Sequence, residues 1–422
     1  MNPWAAIAAG TAVSCYAAVS RRLATTAVSG PMVFVASGLL IGPQGLDLAD
    51  RGHDAEITRT LLESALALVL FTGAASIRTK ELRREGFLPV RLLAVGLPLT
   101  MGLGWLTAWL VLPGLGMWVL AQVGIILAPT DAALGQQAVS DEHVPALVRH
   151  GLNVESGLND GVALPFFLLA LAAAGGGREG QGPLATFFLA LVASSSIAVA
   201  IGWLGARVLR GAAARGWSTT EWRQILVLAV PVVIYALCVA ADGSGFIGAW
   251  TGGLAFGAFT RGGRAVEPSR TADAGIGEDT EFADRLGTLL AALSFLFFGA
   301  LILGPALTHA DWRILLYAVL SLTAIRMIPV TVALIGTGLR APTVAYVGWF
   351  GPRGLASVVF GLIAFEEHLP GGERLSGVIA VTVALSVCLH GASAAFLGSR
   401  YGAWYAAALR RGLELRETAP AP

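Results

Sequence analysis

Apolar segments of about 20 residues recur along the whole chain, with short polar loops between them. A helix of that length crosses the hydrocarbon core of a bilayer and bonds all of its backbone polar groups internally. Of the residues, 55% are hydrophobic and only 13% are charged, well below the roughly 25% typical of soluble domains. The sequence therefore predicts an all-α polytopic membrane protein.

The segments number about thirteen, and each is expected to form one transmembrane helix. Two of them meet at 241–245 and are kept separate, because together they are too long for a single crossing of about 20 residues. Residues 1–400 are thus predicted to be a transmembrane domain and 401–422 a short cytoplasmic tail. The predicted spans are 3–20, 31–49, 60–77, 92–112, 116–139, 151–175, 184–206, 224–241, 244–260, 286–304, 314–337, 343–365 and 375–397.

Basic residues concentrate in the loops that follow odd-numbered spans. Loops that follow even-numbered spans contain only Arg51, Arg59, Arg178, Arg313 and Arg374. Because cytoplasmic loops are enriched in Lys and Arg, we expect a multi-pass protein of the cell (inner) membrane with its N-terminus outside and its C-terminus in the cytoplasm. The arginines are dispersed and form no patch, so no nucleic-acid partner is expected, and membrane lipid surrounds the protein.

Two spans carry a proline beside a charged residue near their middle. The fifth contains Ala128-Pro129-Thr130-Asp131 and the twelfth contains Gly351-Pro352-Arg353-Gly354. Proline removes a backbone hydrogen bond, so both helices should unwind inside the membrane. Their odd offset predicts two inverted six-helix repeats with crossed broken helices, a layout of secondary transporters. The repeats would cover about 3–175 and 224–397, with 184–206 as connector; the alternative is that both prolines merely kink their helices.

Three acidic residues, Asp131, Glu155 and Asp160, lie within apolar spans. An acidic residue at a helix centre costs roughly 3 kcal/mol in lipid, which makes this cluster a candidate functional site. A hard cation binds several oxygen ligands. For a monovalent cation we expect the Asp160 and Asp131 carboxylates, the Ser156 hydroxyl and the freed Thr130 carbonyl. Because burial favours a protonated carboxylate, protons would compete with the cation, as in proton-coupled antiport. The alternative is a structural hydrogen-bond network.

The other charged residues within the spans are expected to support this site. Arg326 and Arg353 each need a partner in the membrane, and Glu155 is predicted to form a structural ion pair with Arg326. Arg353 is expected to neutralise the helix ends at the crossing. Asn159 is expected to cap or hydrogen-bond the unwound backbone.

These motifs closely resemble the monovalent cation/proton antiporters of the NhaP and sodium/hydrogen exchanger type, in the cation:proton antiporter-1 branch. The resemblance covers nearly the whole chain and rests on Pro129-Thr130-Asp131, on Glu-Ser-Gly-Leu-Asn-Asp-Gly at 155–161, on Arg326 and on Gly-Pro-Arg-Gly-Leu-Ala-Ser at 351–357. It implies the sodium/proton antiporter fold and a homodimer whose six-helix core moves against a dimerisation bundle. It also implies that Asp160 is the main carrier of ion and proton.

The resemblance implies electroneutral one-for-one exchange from the Asn159-Asp160 pair. Exchange of Na⁺ or Li⁺ for H⁺ is the leading hypothesis, and K⁺/H⁺ antiport on the same scaffold is the alternative. A cation channel and an intramembrane hydrolase are weaker readings. The sequence contains no GxSxG, HExxH or P-loop motif, so neither enzymatic activity nor a cofactor is expected.

Overall fold

The computed structural model describes residues 3–23, 26–49, 51–77, 87–131, 134, 141–175, 183–261 and 270–418, with the backbone alone at 51–55, 183, 186 and 270–280. Within these ranges helices are the only regular secondary structure, which confirms the all-α class. Most of these helices are apolar along their length, as expected where lipid or another helix covers every face.

Six helices are described before residue 176. Two of them pack through close backbone approach, because α4 and α5 meet at Gly104 and Gly124. A Cβ atom at Gly124 would come within 2.6 Å of the Met101 carbonyl. The helices are α1 Pro3–Leu23, α2 Gly30–Ile41, α3 Arg51–Ser76, α4 Phe87–Val111, α5 Met117–Ile126 and α6 Ala146–Gly175.

Eight further helices are described after residue 182. One of them, α10, continues through a π-helical turn, Phe298–Leu303, into Gly304–Thr308. Another, α11, is interrupted at Thr323. The helices are α7 Pro183–Ala214, α8 Thr220–Ala240, α9 Gly245–Arg261, α10 Arg270–Phe297, α11 Trp312–Ala333, α12 Ala341–Trp349, α13 Leu355–Glu366 and α14 Gly372–Arg410. A short 3₁₀ turn follows at Arg416–Thr418.

Each predicted span overlaps one of these helices, except 343–365, which overlaps both α12 and α13. Among the described residues, eight helical stretches are long and apolar enough to cross a membrane, and α2, α5 and α13 are shorter apolar helices. Asp242 has a positive φ of 59° between α8 and α9, which confirms that two spans meet at this turn. The last helix extends beyond its predicted end at residue 397 and reaches Arg410.

The chain divides into two compact units. The first comprises Met1–Leu62, Arg84–Gly175 and Ala291–Pro422, and it contains all the candidate site residues. Its largest described apolar core joins α4, α6, α11, α12 and α14 through Leu88, Leu92, Val148, Leu152, Val330, Tyr346, Val347, Ala394 and Tyr401. The inverted repeats expected from the sequence stay a prediction.

The second unit comprises Glu63–Arg83 and Gly176–Leu290. Within it, the Arg261 side chain at the end of α9 donates to the Ala75 carbonyl at 2.8 Å, which caps the C-terminal end of α3. The Tyr235 hydroxyl of α8 donates to Glu63 of α3 at 3.0 Å. These contacts tie the second half of α3 to α8 and α9.

Candidate ion-binding site

The two proline-containing breaks meet in the first unit. Helix α5 ends at Ile126, and its chain continues without helical structure to Asp131. The other break separates α12, which ends at Trp349, from α13, which begins at Leu355. The Asp131 amide donates to the Pro352 carbonyl at 2.8 Å. The broken helices therefore cross at their unwound segments.

The Asp131 carboxylate is held by backbone amides. Its Oδ2 accepts from Leu355 N at 2.8 Å, at the start of α13, and its Oδ1 accepts from Leu134 N at 3.0 Å. A helix N-terminus stabilises negative charge, so an acidic side chain suits this position. A Cβ atom at Gly354 would collide with Asp131, and glycine is thus required there for close approach.

Arg353 is fully buried and caps the end of α5 from the other break. Its Nη1 donates to the Ala128 carbonyl at 2.7 Å and to the Pro129 carbonyl at 2.9 Å. The Ser357 hydroxyl donates to the Ile126 carbonyl at 2.7 Å. These donors satisfy carbonyls that the break releases, and the guanidinium charge opposes the negative end of the helix dipole. Arg353 thus occupies the place expected from the sequence.

Two side chains of α6 hold Thr130. The Thr130 and Ser156 hydroxyl oxygens lie 3.1 Å apart, and the Asn159 amide donates to Thr130 Oγ1 at 2.6 Å. The sequence suggested that Asn159 would bond unwound backbone, whereas its amide bonds the threonine side chain. The reason is that Thr130 presents its hydroxyl towards α6. Asn159 Oδ1 is buried and accepts no hydrogen bond from the part of the chain that the structure describes.

Asp160 is half-buried on α6, and its charge lies within electrostatic range of Asp131. None of the described residues donates a hydrogen bond to its carboxylate. Two carboxylates within electrostatic range in a poorly solvated place repel, and a bound cation or a proton on one of them removes that repulsion. The structure thus places Asp160 within electrostatic range of Asp131, and the Thr130 hydroxyl beside the Ser156 hydroxyl.

Glu155 and Arg326 form a buried ion pair between α6 and α11. Arg326 Nη2 donates to Glu155 Oε2 at 2.9 Å, and Nη1 lies 2.7 Å from Oε1. Both residues are 1% exposed. The Nη2 contact is a charge-assisted hydrogen bond, and the Nη1 contact is an ion-pair approach without hydrogen-bond geometry. A Cβ atom at Gly351 would meet the Arg326 side chain at 2.5 Å, so this glycine lets Arg326 pass the second break.

No role was predicted from the sequence for Ser357, Ser386 or His390. The last two lie on α14, are buried, and contact the break between α12 and α13. A signal for His390 was available, because a histidine inside an apolar span is itself an ionisable residue in the membrane. Ser357 is the last residue of the motif at 351–357, whereas no comparable signal marked Ser386, since serine is common in membrane helices as a small packing residue.

Comparison with known proteins supplies the context for this geometry. The family model described as "Sodium/hydrogen exchanger, transmembrane" matches residues 9–400. The chain belongs to this family. Both breaks and every residue of the candidate site lie inside the matched range, and the family expected from the sequence motifs is confirmed.

Known relatives of the chain are distant in sequence. The "Na(+)/H(+) antiporter 2" of Zygosaccharomyces rouxii is 26% identical over 376 residues, which cover 81% of this chain and 44% of that protein. The "K(+)/H(+) antiporter NhaP2" of Shewanella baltica is 24% identical over 376 residues, which cover 86% of this chain and 60% of that protein. The chain therefore spans less than two thirds of the length of either relative.

A solved structure shares the fold. The sodium proton antiporter MjNhaP1 from Methanocaldococcus jannaschii superposes with a TM-score of 0.75 and 21% sequence identity, over 94% of this chain and 98% of that one. The chain thus has the antiporter fold that the sequence predicted.

Proposed function

We propose that this protein is a secondary transporter that exchanges Na⁺ or Li⁺ for H⁺ across a membrane. The observation that carries the proposal is the pair of carboxylates, Asp131 and Asp160, within electrostatic range of each other where two broken helices cross. Other charged groups beside them have structural partners, because Glu155 pairs with Arg326 and Arg353 bonds two carbonyls.

The proposed mechanism is competition for the same carboxylates. A monovalent cation would bind Asp160 and Asp131, with the Ser156 hydroxyl and the Thr130 carbonyl as further oxygen ligands. A proton on Asp160 removes the charge that attracts the cation, so binding of one expels the other. If the site opens to each side in turn, exchange follows without a separate coupling device, and no cofactor is required.

One-for-one, electroneutral exchange is proposed because the neighbour of Asp160 on α6 is neutral. Asn159 donates its amide to Thr130 and carries no proton that could exchange at ordinary pH. One carboxylate would then alternate between one cation and one proton.

K⁺/H⁺ antiport is the second candidate, favoured by the similarity to the NhaP2 protein of Shewanella baltica. Both candidates use the same oxygen ligands, and the difference lies in the size of the ion. A cation channel and an intramembrane hydrolase are the remaining alternatives, and each predicts a different assay result.

We also propose a homodimer in the cell membrane, with the N-terminus outside and the C-terminus in the cytoplasm. The family resemblance supports the dimer, and the distribution of arginine between the loops supports the orientation.

The test is exchange in liposomes that contain the purified protein and a trapped pH dye. Na⁺, Li⁺ or K⁺ is added outside, with and without a potassium/valinomycin clamp of the membrane potential. Alkalinisation by Na⁺ or Li⁺ that ignores the clamp is the expected result. A response to K⁺ alone would favour the second candidate, a large clamp-dependent current would favour a channel, and no response to any ion would contradict antiport.

A further inference from the structure

Two side chains of α14 contact the backbone on either side of the break between α12 and α13. The Arg353 amide donates to Ser386 Oγ at 2.7 Å, and His390 Nε2 lies 3.0 Å from the Trp349 carbonyl. Ser386 Oγ in turn lies 3.1 Å from His390 Nδ1. Ser386 and His390 are four residues apart, so they share one face of α14. Both are buried, with exposures of 0% and 1%.

The two backbone groups that they contact, the Arg353 amide and the Trp349 carbonyl, are normal helix partners. In an unbroken α-helix the amide of residue 353 would donate to the carbonyl of residue 349. The break removes that bond, and each buried group then needs another partner. The Trp349 carbonyl also accepts from Gly351 N at 2.8 Å, but a carbonyl oxygen has two lone pairs, so a second donor fits.

We propose that Ser386 and His390 form a hydrogen-bond relay that replaces this missing backbone bond and so holds Asp131 in place for cation binding. They are positioning residues, and the inference rests on the proposed transport function. The relay would run from Arg353 N–H to the Ser386 hydroxyl, from that hydroxyl to His390 Nδ1, and from His390 Nε2–H to the Trp349 carbonyl.

The chemistry of the groups sets the direction of the relay. A carbonyl only accepts, so His390 Nε2 must carry a proton to bond Trp349. An amide only donates, so Ser386 Oγ accepts from Arg353 and keeps its own proton for His390 Nδ1. A neutral imidazole with its proton on Nε2 satisfies all three contacts. In this form the approach of Nδ1 to the Ser386 carbonyl, also 3.1 Å, is not a hydrogen bond.

The break between α12 and α13 also fixes the position of Asp131. Asp131 receives the Leu355 amide on its carboxylate and donates its own amide to the Pro352 carbonyl, both at 2.8 Å. Pro352 precedes Arg353 in the chain, so a shift of the Arg353 peptide group moves the acceptor of Asp131. Loss of the relay would therefore loosen Asp131 without removing any oxygen ligand.

The first test reads the histidine directly and does not depend on transport. The full-length protein, labelled with ¹⁵N at its six histidines, is observed by NMR, and the His390 signals are those lost in His390→Gln or in His390→Asn. We expect a neutral ring with Nε2 protonated and Nδ1 unprotonated at neutral pH. A ring protonated on Nδ1, in the neutral or the cationic form, would overturn the relay.

The second test uses a pair of amide substitutions. The Gln amide nitrogen reaches the position of His Nε2 and preserves the bond to Trp349, whereas the shorter Asn side chain does not. We expect Ser386→Ala and His390→Asn to raise the apparent KM for the transported cation about tenfold, the order of one lost hydrogen bond, with a much smaller change in maximal rate. His390→Gln should stay within about threefold of wild type.

Ser393→Ala is the matched control on the same helix. Ser393 Oγ accepts from the Trp349 indole at 3.0 Å and does not contact the backbone of the break, so its KM should be unchanged. The relay would be refuted if Ser386→Ala and His390→Asn had the wild-type KM. It would also be refuted if His390→Gln raised the KM as much as His390→Asn. An inactive wild type would instead count against antiport and leave the NMR result to decide the relay.

Discussion

Asp131 and Asp160 lie within electrostatic range of each other but are held in different ways. The Asp131 carboxylate accepts two backbone amides, at 2.8 and 3.0 Å, and is therefore fixed. The Asp160 carboxylate receives no hydrogen bond from any residue within the described ranges, and it lies within electrostatic range of Asp131. Asp160 is the acid with free capacity for a cation or a proton, and Asp131 is part of the fixed frame.

Asp160→Asn is expected to abolish cation/proton exchange while the protein stays folded. An amide keeps the size of the side chain but removes both the charge and the exchangeable proton. Its melting temperature should equal or exceed that of wild type, because repulsion with Asp131 is lost. Liposome exchange and thermal unfolding measure the two effects.

Asp47→Asn is the matched control for this change. Asp47 lies in the exposed loop after α2 and has a positive φ of 52°, a conformation that Asn also adopts readily. Its exchange rate should match wild type. Robust exchange by Asp160→Asn would contradict the proposal that cation and proton compete for Asp160.

Arg326→Ala is expected to destabilise the protein by about 3–5 kcal/mol, because it leaves Glu155 buried without its partner. The double variant with Glu155→Ala should recover part of that loss, since it removes the unpaired charge. Thermal or denaturant unfolding in detergent provides the measurement. If Glu155→Ala lowers stability further in the Arg326→Ala background, the pair is not the reason for the loss.

An exposed ion pair provides the comparison. Arg374 and Asp311 lie 3.0 Å apart with side chains 31% and 44% exposed. Water screens such a pair, so Arg374→Ala should cost no more than about 1 kcal/mol. Equal losses of stability in Arg326→Ala and Arg374→Ala would argue that burial does not determine how much an ion pair contributes.

At the level of elements, α12 is held at both ends. Its C-terminal end meets His390 at the break, and its N-terminal end meets the tail of the chain. Glu417 is buried, and its Oε1 accepts from Arg340 N at 2.9 Å and from the Thr343 hydroxyl at 2.5 Å. A carboxylate at a helix N-terminus both caps free amides and complements the helix dipole. The segment that follows α14 thus fixes the start of a helix that ends at the candidate site.

Glu417→Ala is expected to cost about 1–2 kcal/mol of stability through loss of this cap. Glu417→Gln keeps an acceptor oxygen and should cost less. Thermal unfolding would measure both, with Glu414→Ala, an exposed glutamate of the same tail, as a control within about 0.5 kcal/mol of wild type. The cap is excluded if Glu417→Ala and Glu414→Ala unfold at the same temperature.

At the level of the whole molecule, the distribution of arginine predicts the orientation in the membrane. Leu46 lies in an exposed loop after α2, and Trp217 lies in an exposed loop after α7. After the three native cysteines are replaced, Leu46→Cys should react with an impermeant maleimide added outside intact cells. Trp217→Cys should react only in inside-out vesicles. The reverse pattern would contradict the predicted topology.

Much of the fold could be predicted from the local composition of the sequence. The bilayer requires long apolar helices, so the spans could be located from hydropathy alone, and the breaks from Pro129 and Pro352 beside buried charge. Of the candidate site, the Glu155–Arg326 contact and the carbonyl contacts of Arg353 correspond to what the sequence suggested. A buried charge must find an opposite charge or a dipole, and the choice of partners was small.

The sequence by itself therefore determined the helical class, the spans and the acids and breaks of the candidate site, because lipid imposes these on each segment separately. Only the tertiary structure decided that Asn159 bonds the Thr130 side chain, that Glu417 caps α12 across 77 residues and that His390 reaches Trp349 across 41. Such contacts depend on the rotation and depth of each helix. Helices that are apolar on every face leave both undetermined until they pack against one another.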